Sequence, residues 1–152
     1  MSNETHESRQ YITFIANRQE FASNIMAIRE IRGWTDTTPL PQVPDYVRGV
    51  INLRGMVMPV IDLKARLGLG ITEATAKHVI MVVNTGTRTV GILVDAVSDI
   101  ITLSGSEVQP PPDVMERGGD SYIDGIAVLD GRMVTLLAVD DLTSCVTKPL
   151  AA

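Results

Sequence analysis

The chain has 152 residues, 45% of them hydrophobic and only 4% aromatic, and its formal net charge at pH 7 is −5. This length predicts one domain, or two small subdomains that share an aliphatic core, and such a chain buries roughly 68–70% of its unfolded surface without metal or disulfide support. The negative charge argues against nonspecific nucleic-acid binding, which requires a basic face, and fits specific protein partners instead.

The first part of the chain predicts short strands joined by turns. Residues 1–10 are polar, and we expect a disordered tail there. Two apolar stretches on either side of a polar turn predict strands at 11–16 and 21–25. Residues 26–31 suit a short helix or an irregular crossover. Three prolines then make 34–44 an extended or looping connection with few ladder hydrogen bonds.

Residues 45–67 form the stretch around which the chain is organised. The apolar runs 50–53 and 56–61 flank a turn that contains Arg54 and Gly55. Glycine accepts the positive φ that tight hairpin turns require, so this pattern predicts a β-hairpin. At the tip of this aliphatic hairpin, the arginine is either a solvated turn residue or a group that faces a partner.

A short helix is predicted directly after this hairpin. Asp62 supplies a side-chain oxygen where a helix can begin, and residues 63–67 have helical composition. Gly68 would end that helix, and residues 68–77 then read as a linker.

The second part of the chain repeats these patterns. We predict strands at 79–83 and 90–94 around a glycine-containing turn, a strand or crossover at 97–103, a proline-rich loop at 104–119, a last hairpin at 122–129 and 132–139, and a short helix start at 140–142.

An internal repeat relates the two parts. Residues 21–31 align on 90–100 at an offset of 69, and residues 49–55 align on 125–131 at an offset of 76. Each part is therefore a hairpin, a crossover, a loop and a second hairpin. Since four or five short strands are too few for an open sheet with protected edges, we predict that each part curls into a small barrel.

This repeat gives the predicted domain organisation. We expect a tail at 1–10, a single domain at 11–142 and a C-terminal tail at 143–152. The domain would consist of two barrel subdomains at about 11–68 and 77–142. The repeat leaves open whether the chain crosses from one subdomain to the other.

The chemistry-bearing residues do not suggest a catalytic or metal-binding constellation. His6 lies in the predicted tail and His78 stands alone before a strand, without the cysteine or carboxylate spacing of a zinc site. Cys145 has no histidine nearby in the sequence, and a helix N-cap explains Asp140 beside Asp141. We therefore predict no enzyme, no metal and no cofactor.

Three features predict a cytoplasmic protein without direct membrane insertion. The single cysteine cannot form an intramolecular disulfide, which fits a reducing compartment. No apolar run approaches the roughly 18 residues of a membrane span. The polar, charged start of the chain is unlike a signal peptide.

A few charges placed among aliphatic residues are candidates for a partner-facing patch: Ile28, Glu30 and Arg54. Charged groups beside aliphatics can fix the orientation of an interface while burial of the aliphatics contributes the affinity. The plain alternatives are a core position for Ile28 and a solvent-facing carboxylate for Glu30.

Four segments, in the same order and spacing, resemble the CheW family of bacterial chemotaxis coupling proteins. They are 29–33 (Arg-Glu-Ile-Arg-Gly), 46–55 (Tyr-Val-Arg-Gly-Val-Ile-Asn-Leu-Arg-Gly), 57–63 (Val-Met-Pro-Val-Ile-Asp-Leu) and 90–99 (Val-Gly-Ile-Leu-Val-Asp-Ala-Val-Ser-Asp). The resemblance runs from about residue 11 to residue 142.

The resemblance implies an all-β fold with a few short helices, in which two SH3-like five-stranded β-barrels pack around a shared hydrophobic core. It implies a non-enzymatic adaptor that couples the cytoplasmic tip of chemoreceptors to the regulatory domain of the histidine kinase CheA. Such an adaptor would be cytoplasmic and would associate with membrane-bound receptor arrays through its partners.

The resemblance also implies two binding surfaces. Ile28, Glu30, Gly49 and Arg54 match positions expected at the receptor-facing groove between the barrels. Val94, Val97 and Ile100 belong to the region expected to meet the kinase.

Two other functions remain open from the sequence. One is a small-molecule-binding or enzymatic β-barrel, which would need a pocket with converging polar groups. The other keeps the adaptor role but places it in a different pathway, such as surface motility or second-messenger signalling.

Overall fold

The structure is a computed structural model that describes residues 8–84, 88–110 and 122–143. Its strands are β1 Ser8–Ala16, β2 Gln19–Asn24, β3 Ile28–Gly33, β4 Val47–Leu53, β5 Met56–Asp62, β6 Val79–Asn84, β7 Thr89–Val94, β8 Ala96–Ser104, β9 Val108–Gln109, β10 Ile123–Leu129 and β11 Arg132–Leu137. Its helices are α1 Leu63–Arg66 and α2 Val139–Leu142. The prediction of an all-β protein with a few short helices is confirmed.

The strands form two sheets. Barrel 1 is the five-stranded sheet β3-β6-β7-β5-β4, and barrel 2 is the six-stranded sheet β8-β1-β2-β11-β10-β9. The sixth strand of barrel 2, β9, is only two residues long. Barrel 1 therefore has the five strands that the resemblance implied, and barrel 2 has five strands and this short sixth strand.

The connections show that both sheets curl. In barrel 2, β8 and β9 stand at opposite ends of the strand order, yet the 3₁₀ turn Gly105–Glu107 joins them directly. In barrel 1, β3 and β4 are the two edges, and Thr38 pairs with Val50 of β4 a few residues after β3 ends. A short connection between opposite edges requires those edges to lie close together, as in a barrel.

The two barrels divide the chain differently from the subdomain boundaries expected at about 11–68 and 77–142. Barrel 2 takes β1 and β2 from the start of the chain, and barrel 1 takes β6 and β7 from its second half. The reason is long-range parallel pairing, because Phe21 of β2 pairs with Thr135 of β11 and Val60 of β5 pairs with Gly91 of β7. The chain thus crosses between the barrels after β2 and again after β7.

The strand pairing confirms the internal repeat. At an offset of 76, β4 maps on β10, and α1 maps on α2 residue for residue. At an offset of 69, the β3–β6 register maps on the β8–β1 register, including the bulges that skip Arg29 and Ser98. Each barrel is therefore assembled from the same strand pattern, and residues related by either offset are called equivalent below.

Two local predictions need correction. Residues 8–10, expected in a disordered tail, extend β1 because they pair with residues 102–104 of β8. Residues 26–31, expected as a short helix or crossover, are a 3₁₀ turn at Ile25–Ala27 followed by β3. The Asn24 side chain accepts the Met26 backbone N–H at 2.9 Å, which stabilises this turn.

Among the residues that the structure describes, the buried apolar side chains form three clusters. The largest cluster takes residues from both barrels, and a smaller cluster lies in each barrel. This arrangement agrees with the predicted shared core. None of the helices in the described part of the chain is long and apolar enough to span a membrane.

Arg66 of α1 joins the two barrels. Its guanidinium lies 4.8 Å from the ring centre of Tyr46 and 4.3 Å from that of Tyr122. Its Nε donates to the Leu142 carbonyl oxygen at 2.9 Å and its Nη1 donates to the Tyr122 hydroxyl at 2.7 Å. Since the two tyrosines are equivalent residues, the arginine sits between matching positions of the two repeats and holds them together.

Replacing Arg66 by Met should keep the aliphatic stem but remove both ring contacts and both hydrogen bonds. We expect the free energy of unfolding to fall by about 3 kcal/mol, measured by urea denaturation. The control is Lys64→Met in the same helix, which should change stability by less than about 0.5 kcal/mol. Equal urea midpoints for the two variants would contradict a clamping role for Arg66.

Candidate functional site

The structure brings Glu30 of β3 and Arg54 of the β4–β5 turn together. Arg54 Nη2 donates to Glu30 Oε1 at 2.5 Å. The other carboxylate oxygen, Oε2, accepts a longer contact of 3.5 Å from Arg32 Nη1 on the same strand. The curl of barrel 1 makes this contact possible, because it places the β4–β5 turn beside the opposite edge strand.

Local sequence fixes the position of Arg54. Both turn residues have positive φ, 51° for Arg54 and 86° for Gly55, as expected for a two-residue hairpin turn. The Asn52 side chain accepts the Gly55 backbone N–H at 2.7 Å. The predicted hairpin and its turn are therefore confirmed, and the arginine projects from a rigid tip.

The ion pair remains charged at neutral pH. The hydrogen bond from Arg54 holds the pKa of the Glu30 carboxyl below its ordinary value, and the same bond raises the pKa of the Arg54 guanidinium. Both groups are solvent-accessible, and ion pairs of this kind contribute little to folding stability. A charged pair held at a rigid surface is instead available to a partner.

The other two residues predicted for the receptor surface lie deeper in the fold. Ile28 is half-buried and packs against the cluster shared by the barrels. Gly49 is buried in β4, and a Cβ there would stand 2.2 Å from the Thr38 carbonyl oxygen. Only a residue without a Cβ fits here, because the backbones of β4 and of residues 38–39 approach each other closely. The structure therefore places Arg54 at the exposed surface, with the partly exposed carboxylate of Glu30 beside it.

Sequence reasoning missed the apolar part of this surface. Met56 is half-exposed and Val57 is 68% exposed, and both follow directly after the Arg54–Gly55 turn. The sequence pattern of 56–61 predicts only a strand. Because successive side chains of a strand point to opposite faces, an unbroken apolar run predicts that some of its residues face outward, and Met56 and Val57 are both exposed at the start of this strand.

The predicted kinase-facing residues divide in the same way. Val94 is 1% exposed and belongs to the cluster shared by barrel 1 and barrel 2, so its side chain lies in the core, and a contact of this residue with a kinase stays a prediction. Its strand, β7, is central in barrel 1 and buried on both faces. Val97 is half-buried and packs against the same cluster. Ile100, by contrast, is 51% exposed on β8 of barrel 2.

Barrel 2 carries a further exposed apolar pair. Val128 and Met133 are direct cross-strand partners in the β10–β11 hairpin, and both are more than half exposed. Met133 is equivalent to Val57 of barrel 1. The charges differ, however, because Asp99 and Asp130 stand where barrel 1 has Glu30 and Arg54. The two surfaces thus share apolar positions but present different charge.

His78 has structural partners on both sides of its ring. His78 Nε2 lies 3.2 Å from Asp95 Oδ1, and its Nδ1 accepts the Thr75 backbone N–H at 3.0 Å. Within residues 8–84, 88–110 and 122–143, no three His, Cys, Asp or Glu side chains are placed to hold a metal ion. His6 and Cys145 lie outside these residues.

Comparison with known proteins gives a consistent result. The family model "CheW-like domain" matches residues 10–145. The chain is 49% identical over 138 residues to "Chemotaxis protein CheW" of Rhizobium meliloti, which covers 91% of this chain and 89% of the relative. It is 34% identical over 136 residues to "Chemotaxis protein CheW" of Klebsiella aerogenes, covering 90% and 82%.

A solved structure shows the same fold. The scaffolding protein TtCheW from Thermoanaerobacter tengcongensis superposes with a TM-score of 0.81 at 29% sequence identity, covering 90% of this chain and 88% of that one.

Proposed function

The chain belongs to the CheW-like domain family, and from this membership we propose that it couples the cytoplasmic tips of chemoreceptors to the regulatory domain of the histidine kinase CheA, without catalysis. The observation that carries the proposal is a match over nearly the whole chain to chemotaxis and scaffolding proteins. It acts in the cytoplasm and joins membrane-bound receptor arrays through its partners. These relatives do not support the alternative of a small-molecule-binding or enzymatic barrel as the main function.

The receptor surface lies on barrel 1. The Glu30–Arg54 pair gives it two fixed charges, and Met56 and Val57 add exposed apolar area beside the turn. Apolar area of this kind contributes affinity when a partner covers it, while the charges set orientation and association rate. Ile28 and Gly49 support this surface from inside, through core packing and close backbone approach.

The kinase surface lies on barrel 2. From the predicted set it includes the exposed Ile100, and the exposed residues Val128 and Met133 of the β10–β11 hairpin are added to it. Val97 positions β8 from the core side. An adaptor with one surface on each barrel holds receptor and kinase in one assembly, so that a change in receptor conformation can bias kinase activity through shared interfaces.

Glutamate substitutions at the equivalent residues Val57 and Met133 test the receptor surface and the kinase surface separately. Both are exposed strand residues, so both variants should fold as the wild type does. We expect V57E to weaken binding of a soluble receptor fragment roughly 10-fold or more, and M133E to do the same for the CheA regulatory domain. Each variant serves as the control for the other, with binding measured by titration calorimetry.

Two outcomes would overturn the assignment of surfaces. One is loss of both partners in a single folded variant, and the other is the reverse pattern of losses. The same titrations, carried out with receptor fragments and kinases from different chemosensory pathways, would decide between swimming chemotaxis and another pathway.

A further inference from the structure

A cavity of about 460 Å³ opens at one end of barrel 2. Its apolar floor consists of Leu103 of β8 and Leu136 of β11, with Tyr11 of β1 beside them. Two charged side chains, Arg9 and Asp124, also line it. Cavities that bind small molecules commonly measure about 300–1,000 Å³ and combine apolar walls with a few polar groups.

In barrel 1 the equivalent space is occupied by two side chains of the protein itself. The first is Trp34, which is equivalent to Leu103. The backbone pairing agrees with this equivalence, because Trp34 donates its N–H to the His78 carbonyl and Leu103 pairs with Arg9, the residue equivalent to His78. The indole packs against the interior cluster of barrel 1. Barrel 2 has the smaller leucine at this position, and the described residues leave a cavity beside it.

The second occupant in barrel 1 is Arg48. Its guanidinium lies 5.4 Å from the ring centre of Trp34, and its Nη1 donates to the Thr72 carbonyl oxygen at 2.7 Å. The residue equivalent to Arg48 is Asp124, and each is the residue skipped at the bulge of its strand, directly before a paired glycine. Barrel 2 thus has a carboxylate where barrel 1 has a cation that stacks on an aromatic ring.

The charges around Asp124 favour a positively charged guest. Partial burial and the nearby carboxylates of Asp141 and Asp140 raise the pKa of the Asp124 carboxyl, because both disfavour its negative charge. A bound ammonium group would relieve this repulsion. Arg9, on β1, lines the same cavity and offers a partner for a carboxylate.

We propose that the open end of barrel 2 binds a small aromatic zwitterion, of which an aromatic amino acid is the simplest case. The ring would rest on Leu103, Leu136 and Tyr11, in the space that corresponds to the indole of barrel 1. The ammonium group would pair with Asp124 and the carboxylate with Arg9. This site adds ligand binding to the adaptor role and does not depend on it.

The test uses the full chain and three probes that differ in charge: L-tryptophan, tryptamine and indole-3-propionate. Backbone amide chemical shifts of ¹⁵N-labelled protein are followed during titration. We expect saturable shifts at Tyr11, Leu103 and Leu136, and about 10-fold tighter binding of L-tryptophan than of either probe with a single charge.

Variants assign the two charges. Asp124→Asn should weaken L-tryptophan and tryptamine about 10-fold and leave indole-3-propionate unchanged, while Arg9→Gln should weaken L-tryptophan and indole-3-propionate. Both side chains lie largely in solvent, although Asp124 is partly covered, so both variants should fold. Asp130→Asn, at an exposed hairpin turn of the same barrel, is the control and should bind as the wild type does.

Leu103→Trp tests the comparison between the barrels, because it places in barrel 2 the residue that barrel 1 has at the equivalent position. The indole would fill the cavity and should abolish binding of all three probes. Absence of saturable shifts in the wild-type chain would overturn the proposal. So would equal binding by the wild type, Asp124→Asn and Arg9→Gln, since the charged groups would then have no part in recognition.

Discussion

Arg54→Asp is expected to abolish capture of a soluble receptor fragment while the protein remains folded. The substitution removes the cation of the exposed pair and places a second carboxylate beside Glu30. A partner surface complementary to the pair would then face net repulsion. Loss of one member of an interfacial charge pair lowers affinity by roughly 100-fold, which would reduce a pull-down to background.

The protein itself shows why the fold should tolerate this change. Arg54 has a φ of 51°, and the equivalent residue of barrel 2 is Asp130, with a φ of 49°. Each is followed by a glycine in the same type of hairpin turn. Aspartate is among the residues that adopt positive φ most readily, so the variant places in barrel 1 the turn residue that barrel 2 already uses.

Arg18→Asp is the matched control. Arg18 is exposed, has a φ of 64° and lies in the β1–β2 hairpin turn of barrel 2, so the charge change and the turn environment are comparable. This variant should bind the receptor fragment as the wild type does. Normal binding by folded Arg54→Asp, or equal loss in both variants, would remove Arg54 from the receptor surface.

Gly49→Ala is expected to destabilise the protein by about 3 kcal/mol in urea unfolding. Gly49 has a φ of 134°, a region that residues with a Cβ rarely adopt, and the added Cβ would stand 2.2 Å from the Thr38 carbonyl oxygen. Thr38 and Val50 exchange two backbone hydrogen bonds, of 2.8 and 2.9 Å, so the backbone cannot move away without losing them.

Gly33→Ala provides the comparison. It lies in β3 of the same barrel, and an added Cβ would meet nothing within 4 Å. We expect its stability to change by less than about 0.5 kcal/mol. If Gly49→Ala were as stable as Gly33→Ala but bound receptor poorly, Gly49 would be a contact residue, as the family resemblance implied, and the structural explanation would be wrong.

The sequence by itself determined the local structure and the repeat. The Arg54–Gly55 turn follows from glycine chemistry, and Asp62 caps α1 by accepting the Ala65 N–H, as predicted. The offsets of 69 and 76 predicted two similar barrels. These features depend on neighbours in the chain, or on a pattern present twice, and such information is contained in the sequence.

Only the tertiary structure decided which strands share a barrel and which side chains reach the surface. Parallel pairing of β2 with β11 and of β5 with β7 joins segments far apart in the chain, and no local pattern specifies such a partner. The same pairing buries Val94 on a central strand, and the curl of barrel 1 brings Glu30 to Arg54. Long-range contacts depend on how whole sheets close and pack, because the side chains that meet there belong to different strands.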